Sequence, residues 1–413
     1  SGIVIYDRRR GNWQITGQID NMILPDTVQG VVMARVDRLN EASRRVLQIA
    51  AVIGRTFSND MLRAIAGDEA DLDQLLLELQ EHGLITTVPD AVEPAYEFKH
   101  ALTQEAVYES ILQRTRCELH EATAKTIEAN YSDRLEEFYG LLAYHYTLAE
   151  QWEAARSYML LAGDRAGDIA ADKEAVALYR QAIDAYEQAF SDRLTPADQA
   201  DVYRKMGEAY FRLGNNEEAL DYLQRALRDL GHPLPRGRSA ERLVLLGALI
   251  EQVWHRLRGV WAKRIEPSVI DPKVVLVARI YESLMWITGV NPEKILLTSL
   301  IAANFSERHG YRPGLIINYG WLQIILDFAG LPRLGDYYGR ESLALVDETL
   351  YPTQSGTSYA FRAVHENIRS RWAVTLDYAR RAIEILQDKS HWNVRAWSFS
   401  YLASEDGNIH PVS

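Results

Sequence analysis

The chain has 413 residues, 47% of them hydrophobic and 25% charged, which is typical of a soluble globular protein with two or three domains. Its net charge of −12 disfavours general binding to nucleic acid or anionic membranes, because phosphate groups would be repelled. The single cysteine, Cys117, excludes an intrachain disulfide and suits a reducing compartment, so we expect a cytoplasmic protein with a buried structural thiol here. We also expect no transmembrane helix, because no apolar stretch reaches the ~20 residues that such a helix needs.

The first 20 residues predict a β-hairpin. The segments IVIYD and WQITG alternate in polarity, and Gly11 and Asn12 are residue types typical of a tight turn. A hairpin alone is only marginally stable, so we interpret residues 1–24 as the remnant of a preceding (ATPase) domain, with Arg8–Arg10 as a solvated turn. The start lacks an initiator methionine and an apolar signal core. We therefore expect the chain to be part of a longer polypeptide.

Residues 25–130 predict a winged-helix domain. EASRRVLQIAAVIG has the spacing of a helix with Asn40 as its N-cap, and SNDMLRAIAG that of a short helix capped by Ser58. DLDQLLLELQEHG predicts a third helix, and LITTV and AYEFK predict two strands joined by a turn. Helices followed by a two-stranded hairpin are the order of a winged helix. Two further helices are predicted at about 101–113 and 114–130.

The helix that would enter a DNA groove in such a domain is strongly acidic. The segment GDEADLDQLLLELQEHG contains neither lysine nor arginine. Its acidic residues are Asp68, Glu69, Asp71, Asp73, Glu78 and Glu81. Insertion would bring these carboxylates against phosphates, which is unfavourable. We therefore expect a packing module that does not bind DNA directly.

Residues 131–232 repeat the pattern of a tetratricopeptide repeat (TPR) array. One unit carries the TPR spacing at Tyr203, Met206, Gly207, Tyr210, Ala219, Leu223 and Ala226. An earlier unit keeps the same offsets at Tyr139, Leu142, Ala143, Tyr146, Ala155, Met159 and Ala162, and a half-unit follows with Ala175, Tyr179 and Ala182. The small residues allow two helices to approach closely, and the large ones fill the groove against the next repeat. The pattern therefore predicts packed helix pairs.

The array is interrupted after residue 232. LGHPLPRGRS has the proline, glycine and arginine content of a surface linker, and 233–273 is predicted to be this linker plus a long helix at about 240–262. Residues 274–413 predict a second TPR-like array, with helices at 274–289, 292–309, 313–329, 334–349, 357–370, 372–388 and 391–403. The predicted fold class is therefore mainly α: a winged-helix domain with a small β-hairpin wing, followed by a TPR-like α-solenoid.

Sequence motifs of self-contained chemistry are absent. The chain has no G-x-x-x-x-G-K-[ST], H-E-x-x-H, C-x-x-C or G-x-S-x-G motif. With one cysteine and ten scattered histidines, no metal site is predicted, and His120 and His145 are interpreted as packing or surface residues. We expect no enzyme activity and no cofactor in this chain. A ligand-binding face on the repeats is the functional alternative to a purely structural array.

Two segments resemble signal-transduction ATPases of the STAND class. LPDTVQGVVMARVDRLNEASRRVLQIAAVIGRTFS is similar to the segment that follows the nucleotide-binding core. It is most similar to that of large bacterial AAA-type ATPases often fused to class III adenylate or guanylate cyclase domains. YEFKHALTQEAVYESIL resembles the signature F-x-H-x-L-x-x-E-x-x-Y of this family, at Phe98, His100, Leu102, Glu105 and Tyr108. TPR-like arrays and an LGHPLP-type break follow in the same family, so the resemblance covers nearly the whole chain.

The resemblance implies a switch. In related proteins the ATPase core, a helical domain and the winged helix close over ADP, and ligand binding at the repeats favours ATP exchange and opening. It implies that ATP or ADP binds to an N-terminal ATPase domain outside this chain, and that His100 contacts the β-phosphate. A helix start favours anions, but His100 acting as a helix cap or bonding to the wing is the alternative interpretation.

The function implied is a regulatory and sensor module whose repeats bind a protein or small-molecule ligand. The alternatives are the regulatory part of a STAND-type transcription regulator and a stand-alone TPR scaffold without nucleotide linkage. The ligand, the output domain and the oligomeric state are left open by the sequence.

Overall fold

The structure is a computed structural model that describes residues 4–7, 12–15, 26–67, 71–89, 94–190, 195–258, 270–289 and 291–386. Helices dominate these residues, which confirms the mainly α fold class. By its internal contacts the chain divides into two compact units, residues 1–193 and 194–413. The TPR array predicted for 131–232 extends across this division, and the predicted domain boundaries stay predictions.

The first unit begins with the predicted hairpin. Strands β1 (Val4–Asp7) and β2 (Asn12–Ile15) pair antiparallel, with Asp7 opposite Asn12 at the turn end. The placement of Asn12 in the turn is therefore wrong, because the ladder of paired residues extends to it. Gly11 and Arg8–Arg10 lie outside the described residues.

A helix–sheet module follows, built from α1 (Asp26–Val36), α2 (Glu41–Ile53), β3 (Thr56–Ser58), α3 (Asn59–Ala66), α4 (Leu72–Glu81), β4 (Ile85–Thr87) and β5 (Ala95–Phe98). Its sheet has the order β3-β5-β4, with both pairs antiparallel. Strand β3 is an addition to the predicted two-stranded wing, because three residues are too few to give a periodic signal. The order from α2 onward is helix, strand, helix, helix, strand, strand, and the assignment of this module as a winged helix stays a prediction.

Local capping explains where the helices of this module begin. Asn40 Oδ1 accepts a hydrogen bond from the Ser43 amide at 2.7 Å at the start of α2, as predicted. Ser58 Oγ accepts one from the Met61 amide at 3.2 Å at the start of α3, also as predicted. The apolar faces of these helices meet the sheet at Phe98, which is fully buried.

The rest of the first unit is helical. It comprises α5 (Ala101–Ser110), α6 (Gln113–Asn130), a 3₁₀ segment (Ser132–Phe138), α7 (Tyr139–Leu148), α8 (Trp152–Asp168) and α9 (Asp172–Phe190). The spacing of YEFKHALTQEAVYES predicts Leu102 on the apolar face of α5, but Leu102 is 39% exposed and Thr103 is buried instead. Cys117 on α6 is half-buried, so the prediction of a buried thiol is also wrong.

Helix α8 packs against both α7 and α9. It is the second helix of the predicted unit at 139–162. It is also the first helix of a pair with α9, in which Gly163 lies against Tyr179 so closely that an added Cβ would be 2.6 Å from the ring. In α10 and α11 an added Cβ on Gly207 would likewise be 2.7 Å from Leu223, at the same sequence separation. The α8–α9 pair therefore shares the TPR crossing, and the sequence pattern had missed Gly163.

The second unit consists of α10 (Pro196–Arg212), α11 (Asn216–Asp229), α12 (Arg238–Arg258), α13 (Pro272–Thr288), α14 (Pro292–His309), α15 (Arg312–Phe328), α16 (Pro332–Ala344), α17 (Pro352–Ile368) and α18 (Trp372–Leu386). Consecutive helices pack as the pairs α10–α11, α13–α14, α15–α16 and α17–α18, and α12 packs on α14. Helices α16 and α17 begin earlier than predicted, because Pro332 and Pro352 start their first turns. The predicted helix at 391–403 lies outside the described residues. None of the described helices combines the length and the apolar character needed to cross a bilayer.

Candidate ligand groove and signature residues

The signature residues lie around the junction of β5 and α5. Phe98 is fully buried in the core of the helix–sheet module, and Glu105 and Tyr108 are half-buried on α5. His100 is exposed and is the N-cap residue of α5, with an extended backbone. Its side chain makes no capping hydrogen bond, so the helix-cap alternative is not realised. The imidazole is therefore available at the surface.

Basic side chains lie close to this junction. Lys99, next to His100 in the chain, is exposed. Arg35 Nη2 donates to the His82 carbonyl at 2.5 Å. A Cβ built on Gly83 would be 3.3 Å from Arg35 Nη2 and 4.0 Å from Lys99 Nζ, so both cations approach this glycine. This end of the module therefore presents positive charge beside an exposed imidazole.

A buried chain of hydrogen bonds runs from Tyr108 to α7. The Tyr108 hydroxyl is 3.0 Å from His120 Nε2, and His120 Nδ1 is 2.8 Å from His145 Nδ1. Burial, reinforced by the charge of Arg116, lowers the pKa of His120 to about 4. Burial and the neighbouring His120 hold the pKa of His145 well below its usual value. Both imidazoles are therefore neutral at neutral pH, and the chain joins α5, α6 and α7.

This chain predicts that the protein loses stability in mild acid. The unfolded state has a His pKa near ~6.5, so it binds a proton at His120 before the folded state does as the pH falls. The stability that neutral His120 contributes is complete above about pH 6.5. It is lost as the pH falls from about 6.5 to 4, and the loss in the free energy of unfolding amounts to about 3 kcal/mol. Urea denaturation followed by circular dichroism at pH 7.5 and 4.5 measures the loss.

A matched pair of variants isolates the contribution of His120. His120→Gln is expected to reduce the difference between the two pH values, while His82→Gln, at an exposed histidine, is expected to leave it as in the wild type. An unchanged pH difference in His120→Gln would show that the buried imidazole does not control acid stability.

The second unit contains a groove of about 320 Å³ where the start of α15 and the start of α17 meet α13. It is lined by Ile270, Val275, Arg279, Tyr311, Pro313, Tyr351 and Gln354. Arg279 is exposed, and the buried hydroxyl of Tyr351 has no hydrogen-bond partner within the described part of the chain. Burial raises the pKa of Tyr311 to about 12, so its hydroxyl stays protonated. A guanidinium and two phenols around an apolar floor suit a ligand that joins an anionic group to an apolar body.

A charged cluster adjoins this groove. Arg204 is 2.8 Å from both Asp201 Oδ1 and Glu208 Oε1, and Ser283 Oγ donates to Glu208 at 2.8 Å. Burial and the nearby Glu208 carboxylate raise the pKa of Glu282 to about 7. Glu282 therefore carries a partial proton at neutral pH, and it interacts electrostatically with Arg279 in the groove.

A second polar cluster is buried between α15, α16 and α17. His365 Nδ1 is 2.6 Å from Asp327 Oδ2, and both side chains are almost fully buried. Arg362 forms ion pairs with Asp336 Oδ1 at 3.0 Å and with Glu366 Oε1 at 2.7 Å. Glu366 follows Arg362 by four residues on α17, but Asp336 and Asp327 come from α16 and α15, so the sequence does not reveal the cluster as a whole. The cluster joins two neighbouring helix pairs.

A wider hollow of about 580 Å³ lies between α2 and α6 in the first unit. It is lined by Glu41, Arg44, Arg45, Gln48, Ile49, Thr115, Glu118 and Leu119. The lining mixes charges of both signs and contains no aromatic side chain, so it offers less selective recognition than the groove on α13. Within the described ranges, no group of three or more His, Cys, Asp or Glu side chains is placed to hold a metal ion.

These features define a mainly α protein with TPR-like helical repeats and a helix–sheet module that precedes them. No family model matches the sequence. An uncharacterized protein of Rhizobium meliloti (strain 1021) is 28% identical over 158 residues, which cover 38% of this chain but only 15% of that relative's length.

Two solved structures have related arrangements. One is a STAND protein with a tetratricopeptide repeat sensor from Pyrococcus horikoshii, at 12% identity and a TM-score of 0.38, covering 94% of this chain and 55% of that one. The other is BtubC from P. vanneervenii, at 16% identity and a TM-score of 0.41, covering 70% of this chain and 94% of that one.

Proposed function

We propose that the chain is the regulatory and sensor module of a STAND-type signalling ATPase. In this proposal the TPR-like repeats bind a protein or small-molecule ligand, and the winged helix couples that binding to a nucleotide-binding domain outside these 413 residues. The resemblance favours a parent protein in which that domain is linked to a nucleotidyl cyclase. ATP or ADP then belongs to the parent's ATPase domain, and this chain itself holds no catalytic residue.

The observation that carries the proposal is the position of the signature between the module and the repeats. Its buried phenylalanine anchors β5, its exposed histidine begins α5, and Tyr108 near the end of α5 contacts His120, which contacts His145 on α7. A displacement of α5 by a nucleotide therefore has a route of direct contacts into the helix pairs. The groove on α13 supplies a place for the ligand at the other end of the proposed switch.

In this proposal His100 contacts the nucleotide. It is exposed at the start of a helix, where unpaired amides favour anions, and Lys99 adds positive charge. An imidazole there can donate a hydrogen bond to a phosphate oxygen. The acidic face of α4, with Asp73, Glu78 and Glu81, supports a coupling role rather than contact with DNA.

The test compares ADP retention in the parent polypeptide that contains both this chain and the nucleotide-binding domain. His100→Ala is expected to accelerate ADP release about tenfold, the effect of one lost charge-assisted hydrogen bond. His309→Ala is the matched control, an exposed histidine on α14, outside the helix–sheet module, expected to leave release unchanged. Equal release rates in wild type and His100→Ala would reject the role of His100. Saturable ATP binding by the 413-residue chain alone would reject the assignment of the nucleotide to another domain.

A further inference from the structure

We infer that the exposed face of α12 is a surface through which two copies of this chain pair. The inner face of α12 is already occupied: Ala248 and Gln252 are buried against α14 and α16. Asn304 Nδ2 donates to the Ala248 carbonyl at 3.0 Å, and Tyr338 donates to Gln252 Oε1 at 2.7 Å. These bonds fix which side of the helix faces outward.

The outer face of α12 is apolar with heptad spacing. We call it the α12 seam. It consists of Leu243, Leu246, Ile250, Val253 and Leu257, which are 72%, 57%, 62%, 56% and 78% exposed. Intervals of three and four residues place these side chains in one stripe, the pattern by which one helix packs against another. Val244, Leu249 and Trp254 widen the stripe.

The area of the seam matches what a dimer needs. The seam and its three flanking side chains present roughly 800 Å², of which the five seam residues, roughly 550 Å², face a helical partner directly. The largest apolar patch on a typical monomer is about 300–600 Å². A symmetric pair would bury roughly 1,100 Å² in total through the seam alone, above the about 1,000 Å² that a specific interface needs.

The order of residues along the seam suits an antiparallel pair centred on Ile250. In that register Leu243 lies opposite Leu257 of the second copy, and Gly247 lies opposite Val253. A Cβ added at Gly247 would meet no atom within 4 Å, so this side of the helix is open to close approach. Each copy offers the same surface to the other, as a two-fold interface requires.

Charge favours a second copy of the chain over a lipid bilayer as the partner that covers the α12 seam. Arg236, Arg238 and Arg242 are exposed at the start of the helix and would attract anionic headgroups, but the whole chain carries a net charge of −12. In a dimer the arginines stay at the solvated ends of the seam, where salt screens their repulsion. The desolvation of the five apolar seam side chains outweighs this repulsion.

The test measures the mass of the 413-residue chain by sedimentation velocity up to about 100 µM, with a dimer expected. Ile250→Glu is expected to raise the dissociation constant at least about 100-fold, because a carboxylate would be buried at the two-fold axis. Leu350→Glu, at a 60% exposed leucine outside the seam, is the control and should dimerise like the wild type. Unchanged circular dichroism verifies that both variants are folded.

A cross-linking experiment tests the register independently. In a Cys117→Ser background, Ile250→Cys is expected to form a disulfide-linked dimer under mild oxidation, and Leu350→Cys is not. A monomeric wild type, a dimer that survives Ile250→Glu, or a monomer that floats with anionic phospholipid vesicles through this face would each overturn the inference. The inference does not depend on the proposed nucleotide switch.

Discussion

Replacing Arg362 by methionine is expected to lower the free energy of unfolding of the second unit by about 3–5 kcal/mol. The guanidinium pairs with Glu366 and Asp336, and the Glu366 side chain is only 3% exposed. Removing the cation leaves a buried carboxylate with less compensation, which costs more than the ion pair itself contributes. Urea denaturation followed by circular dichroism measures the change.

Arg381→Met is the matched control for this substitution. Arg381 pairs with Glu348 and Glu384 at the surface, where solvent screens the interaction, so the urea midpoint should be nearly unchanged. The double variant Arg362→Met/Glu366→Leu should recover part of the loss, because it removes the buried charge as well. Losses of equal size in Arg362→Met and Arg381→Met would contradict this account of the cluster.

Replacing Gly320 by alanine is expected to cost about 3 kcal/mol. A Cβ at Gly320 would overlap Cδ2 of Phe361 and lie 3.1 Å from Cε2. Phe361 is fully buried and packs against Trp321 with 5.1 Å between ring centroids, so it has little room to move. Helices α15 and α17 would have to separate. The midpoint of thermal unfolding measures the effect.

Gly140→Ala is the control for Gly320→Ala. Gly140 lies in α7, where an added Cβ would meet no atom within 4 Å, so only the gain in helix propensity remains, up to about 1 kcal/mol. The two substitutions should therefore shift stability in opposite directions. A gain in both would show that α15 and α17 are packed less closely than the structure describes.

The sequence predicted those features whose cause is local. Asn40 and Ser58 cap their helices through hydrogen bonds that span three residues, and these spacings are visible in the chain. The TPR crossing at Gly207 was likewise visible as a fixed offset to Leu223. Strand β3 and the exposure of Leu102 were not visible in the sequence, because pairing with β5 and packing around α5 involve residues distant in sequence.

The sequence pattern of large and small residues also fails to identify a repeat in which the two residue types exchange helices. In α15 and α16 the bulky side chain is Gln323, and the facing position on α16 is Gly339, whose missing Cβ leaves room for the Gln323 amide. In α10 and α11 the glycine and the large residue occupy the opposite helices. A search for the usual order therefore finds the first array and only loosely the second.

The candidate site residues also divide into those that the sequence predicts and those that only the fold reveals. His100 is a candidate because a linear signature contains it, and its role stays a prediction. The contact of Tyr108 with His120, the groove on α13 and the cluster around Arg362 join residues of separate helices, and single positions such as His365 have no distinguishing neighbours in the sequence. Interhelical networks of this kind need the fold before they can be seen.

The shared role of α8 restricts how the first unit can change in evolution. An array of independent helix pairs can lengthen or shorten by duplication or loss of one pair, since each break falls between complete units. Because α8 contacts α7 on one side and α9 on the other, a break on either side removes a partner from it. We therefore expect the deletion of one helix from the block α7 to α9 to be tolerated less well than the deletion of a complete helix pair.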